Sequence, residues 1–385
     1  MNTIFFDLSV CQPSGTSKFH GGGIYGYIVF KQLVLTAPKQ IIAYYNKSKF
    51  LDSDVANIIN YYDTQVFDAV EYNLEQAFTK SGADIFYTPL YSSRYINIIN
   101  KGANCIVTIH GLRPLECFSD KNEYLYYNTW RSKIAYLKKV LFTKFSSTYY
   151  EQYQLALSKP NVRIVTVSKH SKYSIKTYFP DSDLSQISVK YSPSTSPLDY
   201  KKYIHTNNEK YFLLISADRW LKNSFMAISA LDELFENKLN VCDKVVVVGL
   251  SKQSSIYKRI KHKDKFVLEG YLSKDELENL FAGAYGFIYP TLNEGFGYPP
   301  LEAMKYGVPV ITSPYSSIPE ICGNAVLYAN PHDKKEIENR ILQLNDIEIY
   351  SLLKARSLER YEYIDRKQSE DLTLLVHSIL NNFKQ

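Results

Sequence analysis

The chain has 385 residues, 45% of them hydrophobic and 22% charged, with a net charge of +6 and five scattered cysteines. Such a length exceeds what one hydrophobic core supports, so two domains are expected, and the ordinary composition excludes a disordered or fibrous chain. An odd number of cysteines without CxxC spacing argues against a disulfide framework or zinc site and for a reducing compartment. The mild positive charge permits an anionic partner or a lipid surface but requires neither, and no nucleic-acid partner is expected.

In chain order, the opening run Ile4-Phe-Phe reads as a buried strand and lacks the flanks of a secretory signal. Short β-rich runs follow at 40–45, 84–87, 105–109 and 163–167, each separated from the next by a longer helical pattern. A second series occupies 211–216, 244–249, 266–268, 286–289 and 308–312. Four consecutive valines at 245–248 suit a strand covered on both faces of a parallel sheet. Repeated alternation of this kind predicts an α/β protein made of two doubly wound, Rossmann-like domains facing across a cleft. The division is placed near 192–210, where Pro193, Pro197 and Asn207-Asn208 break the pattern. That gives domains at 1–198 and 199–366, with a terminal helix over 367–385 packing back on the first. No apolar run is long enough to span a bilayer, so a cytoplasmic protein is expected.

In doubly wound domains, chemistry collects in loops after strands. The richest such loop runs from Thr291 to Val310 and contains Glu294-Gly-Phe-Gly-Tyr-Pro-Pro-Leu-Glu302. Pro299 and Pro300 suit the first turn of a helix that Gly307 and Pro309 end. Gly295 and Gly297 let a ligand approach the backbone. Their amides, with those of Phe296 and Tyr298, offer donors at the positive end of that helix. Glu302 is expected in the first turn and Glu294 in the loop, so both carboxylates can face one pocket and accept hydrogen bonds from vicinal sugar hydroxyls. For one glutamate alone, a helix-dipole role would be the better explanation. Two acids, two glycines and two prolines at one strand–loop–helix junction favour a binding site.

This segment resembles the Glu-x7-Glu motif of the large retaining glycosyltransferase family with GT-B fold, which includes sucrose synthases and many bacterial polysaccharide mannosyl- and glucosyltransferases. The resemblance continues through Gly307-Val-Pro-Val310 and Ile318-Pro-Glu-Ile-Cys-Gly-Asn-Ala325 and is strong over 211–333. It implies that Glu294 contacts the transferred sugar, that Glu302 holds the ribose, and that the loop amides meet sugar and phosphate. It also implies that the first domain serves the acceptor.

Other positions gain meaning from the same resemblance. Arg219 and Lys222 follow a strand where a positive pair can neutralise a diphosphate leaving group, the role the family gives an Arg and a Lys there. Their spacing is shorter than in many members. Gly270-Tyr271-Leu272 corresponds to a loop beside the nucleotide base; Tyr271 either stacks on the base or packs in the protein, and the Leu272 backbone can meet its edge. Ser273 and Glu276 then form a capping box. A lone glycine-rich loop is a weak signal, but the family has one where Gly22 and Gly23 stand. His110 closes a strand at a point where members carry a histidine near the sugar. Ser168, also after a strand, is explained by N-capping the next helix.

The predicted reaction is transfer of a hexose from a UDP- or GDP-sugar to a glycan or lipid-linked acceptor with retention of configuration, without metal or other cofactor. Two alternatives stay open: a nucleotide-sugar epimerase of similar architecture, and a non-catalytic nucleotide-sugar-binding partner subunit. Between Glu123 and Glu151 there is no acid, while Arg131, Lys133, Lys138, Lys139 and Lys144 interleave with Ile134, Leu137, Leu141 and Phe145. That stretch is either a basic amphipathic helix lying on an anionic membrane or an ordinary helix with a solvated face.

Overall fold

The computed structural model describes residues 2–13, 20–141, 145–195, 200–203 and 209–383. Among these, every strand joins one of two all-parallel sheets. The first contains β1 Ile4–Asp7, β2 Ile41–Tyr45, β3 Gln65–Asp68, β4 Ile85–Thr88, β5 Asn104–Thr108, β6 Val162–Thr166 and β7 Ile187–Val189. Their order is β3-β2-β1-β4-β5-β6-β7. The second contains β8 Tyr211–Leu214, β9 Lys244–Val248, β10 Phe266–Glu269, β11 Gly286–Tyr289, β12 Val310–Thr312 and β13 Leu327–Tyr328, in the order β10-β9-β8-β11-β12-β13.

Helices on both faces leave the central strands no solvent. β1, β4, β8 and β11 are buried at every residue, which is why they read as uninterrupted apolar runs. Both strand orders reverse direction beside their first strand: β1 lies between β2 and β4, and β8 between β9 and β11. Such a reversal opens a crevice at the carboxyl ends of the strands, the place where doubly wound sheets bind ligands.

The chain divides into two compact units. The first holds Met1–Leu112, Ser147–Thr195 and Arg366–Gln385; the second holds Arg113–Ser146 and Ser196–Asp365. This partition departs from the expected 1–198 and 199–366 at residues 113–146, which pack with the second sheet. Trp220 Nε1 donates to Asp120 at 2.9 Å, the Phe225 amide donates to the Tyr126 hydroxyl at 2.9 Å, and Leu125 joins the core formed by Phe212, Leu214 and Leu231. The helix Ile347–Leu380 begins in the second unit and ends in the first. There the Tyr191 amide donates to Asp371 at 2.9 Å and Gln368 Nε2 to the Ser192 carbonyl at 2.5 Å. Of the residues expected to mark the division, Pro197 and Asn207-Asn208 lie outside the described residues.

Candidate active site

The second unit gathers most of the predicted residues at the carboxyl ends of β8 and β11, beside the reversal of strand order. After β8 the chain makes a short turn in which Ser216 and Asn223 take left-handed conformations, with φ of 51° and 54°. Asn223 is anchored by Nδ2 donating to the Pro331 carbonyl at 2.7 Å. This turn leaves Arg219 exposed and drives Lys222 inward, where it is buried. The two cations expected to act alike are therefore in different settings. Lys222 Nζ forms an ion pair with Glu294 Oε1, and Arg219 stands at the surface.

Glu294 lies beyond β11 and is itself buried. Besides Lys222, its Oε1 accepts from the Tyr289 hydroxyl at 2.5 Å, and Thr291 Oγ1 lies 3.3 Å away. Burial alone would push this carboxyl up. The charge and hydrogen bond of Lys222, the Tyr289 hydroxyl and the Arg113 guanidinium outweigh it, holding Glu294 below its ordinary value. At Lys222, by contrast, burial dominates and lowers it against the pull of Glu294. We read the pair as ionised at neutral pH, because a neutral carboxyl would forfeit the donors converging on one oxygen. Tyr289 is pushed well up, by burial first and then by the Glu294 charge, so it remains a hydrogen-bond donor.

The backbone of the Glu294 loop is fixed by serines from the next strand–helix connection. The Glu294 amide donates to Ser316 Oγ at 2.8 Å, and Ser317 Oγ donates to the carbonyls of Glu294 and Phe296 at 3.0 and 2.8 Å. Asn293 Nδ2 donates to Glu116 Oε2 at 2.7 Å, tying in the short helix Arg113–Glu116. Gly297 adopts φ 115°, and a Cβ there would stand 3.0 Å from Ile318 Cδ1. Gly295 and Tyr298 are half-buried and Phe296 is buried.

The helix Tyr298–Met304 starts one residue before Pro299, so Glu302 sits one residue further in than expected, just past the first turn. Glu302 Oε2 accepts from Lys305 Nζ at 2.6 Å. Lys305 is fully buried and also donates to Glu278 Oε2 at 2.6 Å; the Tyr306 hydroxyl reaches that same oxygen at 2.6 Å. Tyr271 is 82% exposed, so packing does not account for it, and Leu272 is half-buried beside it. The capping box after this pair is formed as its spacing predicts: the Glu276 amide donates to Ser273 Oγ at 3.3 Å and Glu276 Oε2 accepts from the Ser273 amide at 2.7 Å.

In the first unit the glycines differ from the expected loop. Gly22 and Gly23 lie in the first turn of the helix Gly21–Thr36, because His20 caps it, its Nδ1 accepting from the Gly23 amide at 3.1 Å. Gly23 is required by packing, since a Cβ there would lie 2.7 Å from the Cys11 carbonyl oxygen. His110 falls two residues beyond the end of β5. Its Nε2 donates to the Pro89 carbonyl at 2.9 Å, and the ring meets Tyr25 edge-on with centroids 4.7 Å apart. Ser168 caps its helix by accepting from the Ser171 amide at 3.1 Å.

Sequence reasoning passed over Tyr289, Ser316, Ser317, Lys305 and Arg113. Lys305, three residues after Glu302, carried a legible signal in its spacing. The others act through tertiary contacts that carry no local pattern.

The two parallel sheets are those of the GT-B class of sugar-transferring enzymes. Sucrose-phosphate synthase from Thermosynechococcus elongatus superposes with a TM-score of 0.71 at 13% identity, over 100% of this chain and 99% of that one. The Anabaena protein HepE, in complex with UDP and glucose, gives 0.62 at 14% identity, over 97% and 100%. The family model of glycosyl transferases group 1 matches residues 197–363. Over 270 residues the chain is 30% identical to the O-antigen chain mannosyltransferase RfbU of Salmonella typhimurium, covering 69% of this chain and 67% of the relative. The chain belongs to the glycosyl transferases group 1 family. Its enzyme class is accordingly transferase, and the epimerase alternative is not favoured.

Proposed function

We propose that this glycosyltransferase moves a hexose of mannose or glucose type from a UDP- or GDP-linked donor to a hydroxyl of a glycan or lipid-linked acceptor. The setting would be bacterial surface-polysaccharide assembly, in keeping with the O-antigen chain mannosyltransferase it resembles. The observation that carries this reading is Glu294, a buried carboxylate held charged by Lys222 and Tyr289 at the end of β11. In that setting it is a recognition group. An oxygen saturated by protein donors is a poor nucleophile, and a carboxyl held below its ordinary value is a poor general base.

The chemistry then rests on stabilising the leaving group. The bond from the anomeric carbon to the diphosphate oxygen breaks, the acceptor oxygen bonds to that carbon on the same face, and the acceptor proton passes to the departing phosphate. Arg219 and the amides of Gly295, Phe296, Gly297 and Tyr298 offset the charge that develops on the diphosphate. Glu302 receives the ribose hydroxyls, and Tyr271 stacks on the base with Leu272 at its edge. For His110, Gly22 and Gly23 the family resemblance supports contacts to sugar and phosphate. The protein requires no metal on this account.

We place the protein at the cytoplasmic face of the membrane. No described helix is long and apolar enough to cross a bilayer. The helix Trp130–Leu141 instead turns Trp130, Ile134, Leu137 and Val140 outward, with Arg131 and Lys138 exposed among them. On its inner face the Tyr136 ring packs on Tyr124 and Tyr127 and its hydroxyl donates to the Asp120 carbonyl at 3.0 Å. An apolar stripe with flanking cations suits the interface of an anionic bilayer. Lys144 lies outside the described residues, as do the side chains of Lys139, Leu141 and Phe145.

The direct test is a panel of UDP- and GDP-linked mannose and glucose incubated with protein and a lipid-linked or oligosaccharide acceptor. Release of one nucleoside diphosphate with an α-linked product from an α-linked donor is expected. Isomerised donor without transfer, or an inverted product, would contradict the proposal.

A further inference from the structure

The buried network behind Glu302 is not explained by folding of its own helix. Lys305 has no exposed side-chain surface, yet it is a cation, and its ammonium is shared by Glu302 and Glu278 at 2.6 Å each. An interior lysine is tolerated where opposite charges surround it, and a whole buried ion-pair network can often be replaced by apolar residues of similar volume without loss of stability. A charged network at this place therefore points to a role that apolar side chains would not supply. Glu278 comes from the helix Lys274–Gly283, which follows the loop bearing Tyr271 and Leu272. Glu302 belongs to the helix Tyr298–Met304, which follows the loop bearing Glu294. Tyr306 secures the Glu278 end of the chain.

We propose that Lys305 is a positioning residue for recognition of the donor ribose: clamped by Glu278 and Tyr306, it sets the orientation of the Glu302 carboxylate. This rests on the reading that Glu302 meets the ribose. A glutamate has several rotamers, and a freely rotating carboxylate loses entropy when it accepts two hydroxyls at once. An ammonium fixed from the other side removes that loss before the ligand arrives. Through Glu278 the same link connects the ribose carboxylate to the helix behind the base loop, so base and ribose contacts share one support.

The experiment is calorimetric titration of the full chain with UDP and with GDP. It compares wild type, Lys305→Met, Glu302→Ala and the double variant, with 2′,3′-dideoxy nucleotides as a control. Lys305→Met is expected to weaken the better-binding nucleotide about tenfold when Glu302 is present and less than twofold when it is absent. The wild-type preference for ribose over dideoxyribose should shrink with it. Lys305→Met together with Glu278→Gln removes the fully buried pair and leaves only the partly exposed Glu302 carboxylate without its cation, so it serves if the single variant fails to fold; it should show the same loss. Wild-type affinity in the variants, or an equal loss in both Glu302 backgrounds, would overturn the positioning role. If Glu302→Ala itself leaves binding unchanged, the ribose reading falls instead.

Discussion

Glu294 and Glu302 are both carboxylates on one connection, but the residues behind them give them different chemistry. Glu294 is buried against Lys222 and Tyr289, whereas Glu302 keeps part of its side chain exposed and leans on Lys305. Removing Lys222 by Lys222→Met would strand a buried carboxylate, at a cost of about 3–5 kcal/mol in urea unfolding. Lys222→Met combined with Glu294→Gln should recover most of that stability and none of the activity. If the double variant is no more stable than the single, the pair is not the source. The pH dependence follows from the direction of the Glu294 shift. Its folded value lies below its unfolded one, so its contribution is complete above the unfolded pKa of about 4.3 and is lost as pH falls through the folded value. The stability gap between wild type and Glu294→Gln should thus be constant from neutral pH to mildly acid pH and shrink below. A gap that stays constant through strongly acid pH would contradict this ionisation.

At the scale of elements, the connection after β11 is shaped by backbone as much as by side chains. Gly297 has a φ that side chains rarely adopt, and a Cβ there would press on Ile318 Cδ1, so Gly297→Ala should destabilise by about 1–3 kcal/mol and displace the amides of the loop. An unchanged urea midpoint would show that the loop accommodates the methyl. The helix Trp130–Leu141 carries the membrane prediction. Leu137→Glu should lower co-flotation with anionic liposomes while leaving nucleotide binding intact, and flotation equal to wild type would count against the interface. Strands were legible where they are buried on both faces. The three runs that sequence patterning missed, β3, β7 and β13, are all sheet edges, short and partly exposed, and thus lack the apolar run that marks a covered strand. Gly23 misled for a related reason: glycine suggests a loop, but here close packing on Cys11 demands it inside a helix.

For the whole molecule, the fold class and the donor segment were readable because both depend on local order: strand–helix alternation, and a motif contained in nine consecutive residues. The allocation of residues 113–146 to the second unit was not readable. It arises from contacts such as Trp220 with Asp120 and Phe225 with Tyr126, about a hundred positions apart, which leave no mark on local composition. The same holds for Lys222 and Arg113 beside Glu294, whereas Lys305 stands only three residues from Glu302. Function depends on both levels, the motif supplying the carboxylates and the side chains packed behind them holding them in place. The most direct measurement of that claim is the donor dissociation constant of Glu302→Ala beside wild type, determined with the nucleotide sugar that the enzyme turns over. Loss of a charged acceptor should weaken binding by about 1.5–3 kcal/mol, or roughly tenfold to hundredfold. An unaltered constant would mean that the donor is held elsewhere.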